Sequence, residues 1–337
     1  MDTKTLERFR HALTKHRETL LEWIETDSNH KEIRLGGTPS NAVIQIISEL
    51  KDALMRIDRG EFGKCQECNE DVEPEYLALD YTKRVCLAHY SEEQLRAIEN
   101  DLELAAKVQR QLLPRCIPAL PGVQMAIHAE PAHIVGGDFY DFFAYEKRYA
   151  QGIVLADVMG KGLPASLLMS NLQASLRILG PEHDELPALA VRLNKLFRYN
   201  LTLIRFISLF LGRFDIDSKI FHYCNAGHNP PLWWQAVTGS IKWLNPTGPA
   251  IGLTPAPQYT SNSLQLNKGD LLLLYTDGLI DARNTQGEEF GEQRLVAYVK
   301  DHINEPVEVL LSGLRKTAKR FAGSLQDDMT LILFALK

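Results

Sequence analysis

The run Gly152-Ile153-Val154-Leu155-Ala156-Asp157-Val158-Met159-Gly160-Lys161-Gly162 decides how the chain is read. A strand-length apolar stretch ends on an aspartate and then on a glycine-punctuated turn. The same pairing of carboxylate and turn returns in Gly136-Gly137-Asp138-Phe139-Tyr140-Asp141, in Tyr275-Thr276-Asp277-Gly278 and in Gln326-Asp327-Asp328-Met329-Thr330. One Asp-Gly after a strand is ordinarily only a turn. Four such segments, each against an apolar run, ask for another explanation. Carboxylates gathered at one end of a sheet repel one another unless a cation neutralises them. Oxygen donors without cysteine or histidine suit magnesium or manganese. Two such ions about 3.5–4 Å apart share a water, lower its pKa and clamp a phosphoryl group for in-line attack.

Outward from these motifs, the chain beyond Gly122 breaks into short apolar runs bounded by Gly, Asn and Asp: 206–214, 220–224, 270–275 and 329–335. Helical stretches at roughly 163–179, 186–200 and 305–322 interrupt them. Many strands with clustered helices predict an α+β domain and not a doubly wound sheet.

In this order the four acidic segments resemble the metal-binding motifs of the protein phosphatase 2C superfamily, and most closely its bacterial SpoIIE/RsbU-type branch. The resemblance covers about 100–337 and extends to Asn225-Ala226-Gly227-His228-Asn229-Pro230-Pro231, to Thr247-Gly248-Pro249-Ala250-Ile251-Gly252-Leu253, to Gly287-Glu288-Glu289-Phe290-Gly291, and to the approach helix ending Leu112-Leu113-Pro114. It implies a β-sandwich flanked by helices, with two Mn2+ or Mg2+ ions in a cleft at one edge. By the same resemblance Asp157 bridges both ions, the Val158 carbonyl ligates one, Asp277 and Asp327 complete the other, and Asp138 acts directly or through water. Asp328, beside the final ligand, ranks below Asp327. The implied reaction is hydrolysis of phosphoserine or phosphothreonine in a partner protein, for this branch an anti-sigma-factor antagonist. His228 reads as a loop-shaping residue and not a general acid. Gly-Gly-Asp-Phe echoes the diguanylate cyclase signature, but the second acid is missing, and that reading is rejected.

The five cysteines are unevenly spread. Cys65-x2-Cys68, seventeen residues, then Cys86-x2-His89 form two knuckles with the four donors that tetrahedral zinc takes. A closed shell leaves no open position, so the ion's role is structural; buried cysteines without metal are the alternative. The run Ile57-Asp58-Arg59-Gly60-Glu61-Phe62-Gly63-Lys64-Cys65 resembles the entry to the TraR/DksA-family zinc finger, with His89 where a fourth cysteine is usual. A helical hairpin before the finger, from patterns at 4–26 and 43–57, matches that architecture. The expected hairpin tip, Asp27-Ser28-Asn29-His30-Lys31-Glu32, carries no match to the acidic motif of the members that regulate RNA polymerase. A transcription regulator acting on the polymerase is nevertheless the competing function, and intact aspartates in all four motifs favour the enzyme.

Ser91 with Glu92, Glu93 and Gln94 starts another helix, and Pro114 ends it. Leu95, Ile98, Leu102, Ala105, Gln109 and Leu112 follow one stripe, as in a coiled-coil seam; a helix packed on its own domain fits as well. The expected organisation is a zinc-finger module over 1–90, a linker helix over 91–115 and a phosphatase domain over 116–337, dimeric through 91–113. Across 337 residues, 45% hydrophobic and 24% charged with net charge -6, the composition is that of a globular protein. It gives no basic footprint for nucleic acid. No apolar run is long enough for a membrane helix and no signal-peptide stretch opens the chain, so a cytoplasmic protein is expected.

Overall fold

The computed structural model describes residues 1–26, 41–132, 134–159, 163–200 and 206–337. The expected hairpin tip at 27–32 and the Gly160-Lys161-Gly162 turn lie outside the described residues. The chain divides into two compact units, one within Met1–Asn100 and one comprising Asp101–Arg198 and Phe206–Lys337.

In the first unit, α1 (Thr3–Thr26) and α2 (Asn41–Asp58) pack together. Arg10 near the start of α1 pairs with Asp58 at the end of α2, so the two run antiparallel. Phe9 and Leu13 meet Leu50, Ala53, Leu54 and Ile57, and the same small core takes in Phe62, Val72, Leu77, Cys65 and Cys86. A short helix α3 (Pro74–Leu79) and a single 3-10 turn (Leu87–His89) complete the finger. The linker helix α4 (Glu92–Leu112) opens on a full capping box. The Gln94 N–H donates to Ser91 Oγ at 3.2 Å, and the Ser91 N–H donates to Gln94 Oε1 at 2.9 Å. Two orphan donors of the first turn are thereby satisfied reciprocally, as the sequence there predicts.

The second unit is a sandwich of two antiparallel sheets. One runs β1 (Val123–Glu130), β10 (Met329–Leu336), β9 (Leu271–Tyr275), β6 (Leu232–Gln235), β7 (Ser240–Trp243). The other runs β2 (Asp138–Ala144), β3 (Ala150–Val158), β4 (Ile207–Asp215), β5 (Ile220–Ala226), β8 (Asn262–Gln265). Alternation splits each strand between two cores. Leu272, Leu274, Ile332 and Phe334 meet Ile153, Leu155, Phe210 and Phe221 between the sheets. Leu271, Leu273, Tyr275, Leu331 and Leu333 face the other way, against α8 (Gly291–His302) and α9 (Val307–Ala322). Helix α5 (Leu163–Glu182) covers the outer face of β2 and β3, and α6 (Leu186–Asn200) follows it. Strands covered on both faces read as unbroken apolar runs, which is why β3, β4, β9 and β10 were legible as strands but their faces were not. The α+β sandwich is as expected. Helix α8 and the four-residue α7 (Asp277–Ile280) are additions, because their apolar positions are too few to show a period. Among the described residues no helix is long and apolar enough to cross a membrane.

Candidate active site

Asp138 begins β2 and Asp157 stands near the end of β3, and the two face each other across the antiparallel register. Directly opposed carboxylates lie about 5 Å apart at Cβ and destabilise a sheet unless something offsets their charge. From the other sheet, β9 ends at Tyr275 and Asp277 opens α7, while Asp327 and Asp328 lead into β10. The two loops touch closely. A Cβ on Gly278 would lie 2.0 Å from the Asp328 carbonyl oxygen and 3.2 Å from that of Asp327. Only glycine lets the Asp277 turn approach that backbone, so the Asp-Gly pair is more than turn chemistry. All four predicted acids, Asp138, Asp157, Asp277 and Asp327, are partly buried.

Thr276 joins the sheets. Its hydroxyl donates to Asp138 Oδ2 at 2.7 Å and accepts the Thr330 N–H at 2.9 Å. The Asp138 carboxyl is held well above the usual carboxylate range, by burial first and then by the charges of Asp157 and Asp328, with the hydroxyls of Thr330 and Thr276 pulling the other way. Asp138 and Asp157, opposed carboxylates that cannot both ionise in comfort, suit a divalent cation.

Asp328 has a different task from Asp327. Its two oxygens accept the Ala132 N–H at 2.7 Å and the Gly137 N–H at 2.6 Å. A Cβ on Gly136 would sit 2.6 Å from Asp328 Oδ2. Asp328 therefore pins the Gly-Gly turn that presents Asp138. The same turn is gripped from its other side by Gln109 of α4. The Gln109 side chain donates to the Gly136 carbonyl at 2.6 Å and accepts the Gly136 N–H at 3.1 Å. The Leu112 carbonyl accepts from Gln173 and, at 3.1 Å, from Arg177. Gln109 is thus engaged within its own chain. Its amide mimics a strand edge for the loop before β2, and it is the exposed Leu104 and Val108 that face solvent on this half of the helix. Asp141, in the first motif, lies away from this chemistry and takes Arg177 Nε at 3.0 Å.

Thr276, Thr330 and Gln109 are the participants that sequence reasoning missed. Each threonine lies within two residues of a motif aspartate, which was the available signal. His228 is buried and shapes its loop as expected, its backbone N–H donating to Asn225 Oδ1 at 2.8 Å.

In the first unit Cys65, Cys68, Cys86 and His89 place one donor atom each within 4.8 Å of one another. The Cys68 and Cys86 sulfurs are 3.8 Å apart. A tetrahedron with metal–sulfur bonds of about 2.3 Å has edges of about 3.8 Å, so the spacing fits zinc. Backbone N–H groups of Glu67 and Cys86 donate to Cys65 Sγ, each at 3.4 Å. Burial pushes the Cys65 thiol up, but the N–H groups of Cys86, Cys68 and Glu67 draw it down to about 6.

Two sheets bearing carboxylates at their adjoining strand ends are the arrangement expected of a protein phosphatase of the 2C type. The family model described as Stage II sporulation protein E (SpoIIE) matches residues 147–337, and the chain belongs to the SpoIIE family. It is an enzyme, a protein serine/threonine phosphatase. The phosphoserine phosphatase RsbU of Bacillus subtilis is 28% identical over 280 residues, 80% of this chain and 81% of that protein. Protein IcfG of Synechocystis is 32% identical over 260 residues, 69% of this chain but 41% of its own length. The SiaA-PP2C domain of Pseudomonas aeruginosa superposes with a TM-score of 0.64 at 22% identity, over 72% of this chain and 98% of that one, a likeness of fold.

Proposed function

We propose that the chain hydrolyses phosphoserine or phosphothreonine on a phosphorylated anti-sigma-factor antagonist, with two Mn2+ or Mg2+ ions held by Asp138, Asp157, the Val158 carbonyl, Asp277 and Asp327. The observation that carries this reading is Asp138, which faces Asp157 across the β2–β3 register and whose charge is disfavoured by burial and by the neighbouring carboxylates. Divalent cations bound there would supply an acidified water and neutralise the phosphoryl oxygens. The chain's own residues do the positioning. Thr276 orients Asp138, Asp328 and Gln109 hold the turn before it, and the Gly278 approach brings Asp277 against the 327–328 loop. RsbU, whose name specifies phosphoserine, supports the substrate class. The test is hydrolysis of p-nitrophenyl phosphate and of a phosphoserine protein with Mn2+ added or chelated. Turnover that persists in excess chelator overturns the reading.

The Cys65, Cys68, Cys86 and His89 cluster holds one structural zinc, the residues 1–90 form a regulatory module, and 91–115 link it to a phosphatase domain at 116–337. The chain pairs with a second copy through 91–113 and works in the cytoplasm. Support for zinc lies in the donor set and the sulfur spacing. Elemental analysis of freshly purified protein finds about one zinc per chain if this holds, and none if it does not.

A further inference from the structure

One buried polar group takes no part in the hydrolytic chemistry. His228, two residues past the end of β5, is 1% exposed. Its turn is locked from below: the backbone N–H donates to Asn225 Oδ1, and the Asn225 amide donates to the Leu244 carbonyl at 3.0 Å. The imidazole Nδ1 lies 2.8 Å from Ser208 Oγ. The Nε2 is fully buried without a hydrogen-bond partner, and the backbone of Tyr275 lies beside the ring. A ring that accepts at Nδ1 and carries its proton on Nε2 suits a serine hydroxyl on one side and a carbonyl on the other.

Both ends of this imidazole adjoin candidate metal ligands. Ser208 stands opposite Asp157 in the β3–β4 register. Tyr275 is followed by Thr276, whose hydroxyl reaches Asp138, and by Asp277. Strand β4 belongs to one sheet and β9 to the other. The carboxylates therefore come from two sheets, and buried groups between those sheets help to set their spacing.

We propose that His228 and Ser208 are positioning residues that tie the Asp157 strand to the Thr276–Asp277 turn and so fix the separation of the carboxylates that receive the cations. This deepens the two-cation reading and rests on it. A proton-donor role for the same histidine is opposed by its burial: at 1% exposure the ring has no path to a leaving group. Outer partners of metal ligands typically govern 10–100-fold in metal affinity, and that is the quantity at stake.

The experiment measures Mn2+ binding directly, by calorimetry and by the electron paramagnetic resonance of bound Mn2+, on the full chain. Ser208→Ala removes one hydroxyl and keeps the fold. His228→Leu removes both ring contacts. His228→Asn keeps an acceptor near the Nδ1 position. Expected are Mn2+ affinities about 10-fold weaker for Ser208→Ala and weaker still for His228→Leu, with His228→Asn recovering part of the loss. Activity in each returns as Mn2+ is raised, and the pH profile keeps its shape. Should His228→Leu fail to fold, Ser208→Ala carries the test alone. Unchanged Mn2+ affinity in Ser208→Ala, with a wild type that binds Mn2+, overturns the brace and leaves the two-cation reading standing. A pH profile that loses its basic limb at unchanged Mn2+ affinity makes His228 a proton donor and also overturns it. A wild type that binds no Mn2+ overturns the two-cation reading and the brace with it.

Discussion

The acidic cleft and the cysteine knuckle are both suited to metals, and they are built in opposite ways. The cleft draws donors from strand ends as distant in sequence as Asp138 and Asp327, and its walls belong to two sheets with their own large cores. The knuckle draws all four donors from Cys65–His89, and two of them, Cys65 and Cys86, are themselves members of a small core. In the first case the fold positions the ligands, and a cation relieves their repulsion. In the second the ion would supply the stability that so little buried surface cannot.

The sharpest way to break this comparison is to remove the metals one kind at a time. Cys65→Ser, or a zinc chelator, should cost the knuckle on the order of 10 kcal/mol, the worth of a structural zinc in an isolated finger. Hydrogen exchange should then show residues 60–90 unprotected while β3, β4, β9 and β10 stay protected. Equal loss of protection in both units would erase the distinction. Next in size, Asp157→Asn and Asp277→Asn should each lower kcat/KM by a thousandfold or more, about 4 kcal/mol of barrier. Circular dichroism and thermal melting should change little, because the sheets do not depend on the cation.

A smaller effect belongs to the cleft alone and runs with pH. Burial lowers the His228 pKa to about 4 from its ordinary 6.5. Between those values the unfolded chain holds a proton that the folded chain does not, so stability is full above pH 6.5 and falls as pH falls toward 4. The loss over that window is about 3 kcal/mol. Denaturant titrations at pH 7 and pH 4.5 should show it, and His228→Asn should flatten it. Smaller again, Asp328→Ala orphans the Ala132 and Gly137 amides, at about 2 kcal/mol. Mn2+ stoichiometry by calorimetry should be unchanged in this variant and reduced in Asp327→Ala, separating pinning residue from ligand. The smallest change expected is Gln109→Ala, at about 1 kcal/mol, read as a modest fall in melting temperature together with lower activity from a looser Gly136 turn.

Legibility differed between these same residues. The approach helix was readable from Ser91 to Pro114 because a capping box and a proline are local signals. The bond that Gln109 makes was not legible because its partner, Gly136, is distant in sequence and is a backbone group, which no side-chain pattern reveals. The motif alone ranked Asp327 above Asp328, and the two amides that Asp328 occupies come into view only when β10 is laid beside β2.

What the sequence determined by itself was donor chemistry and local structure: aspartates at strand ends, cysteines at knuckle spacing, apolar runs long enough for strands, and one well-capped helix. These follow from neighbours within a few residues, where side-chain type and backbone preference act directly. The tertiary structure alone decided which donors meet. It set Asp138 opposite Asp157, brought Thr276 onto Asp138 across the sandwich, and buried His228 between Ser208 and Tyr275. Those contacts depend on strand register and on the packing of one sheet against the other, and both are set by the summed burial of cores that no single segment contains.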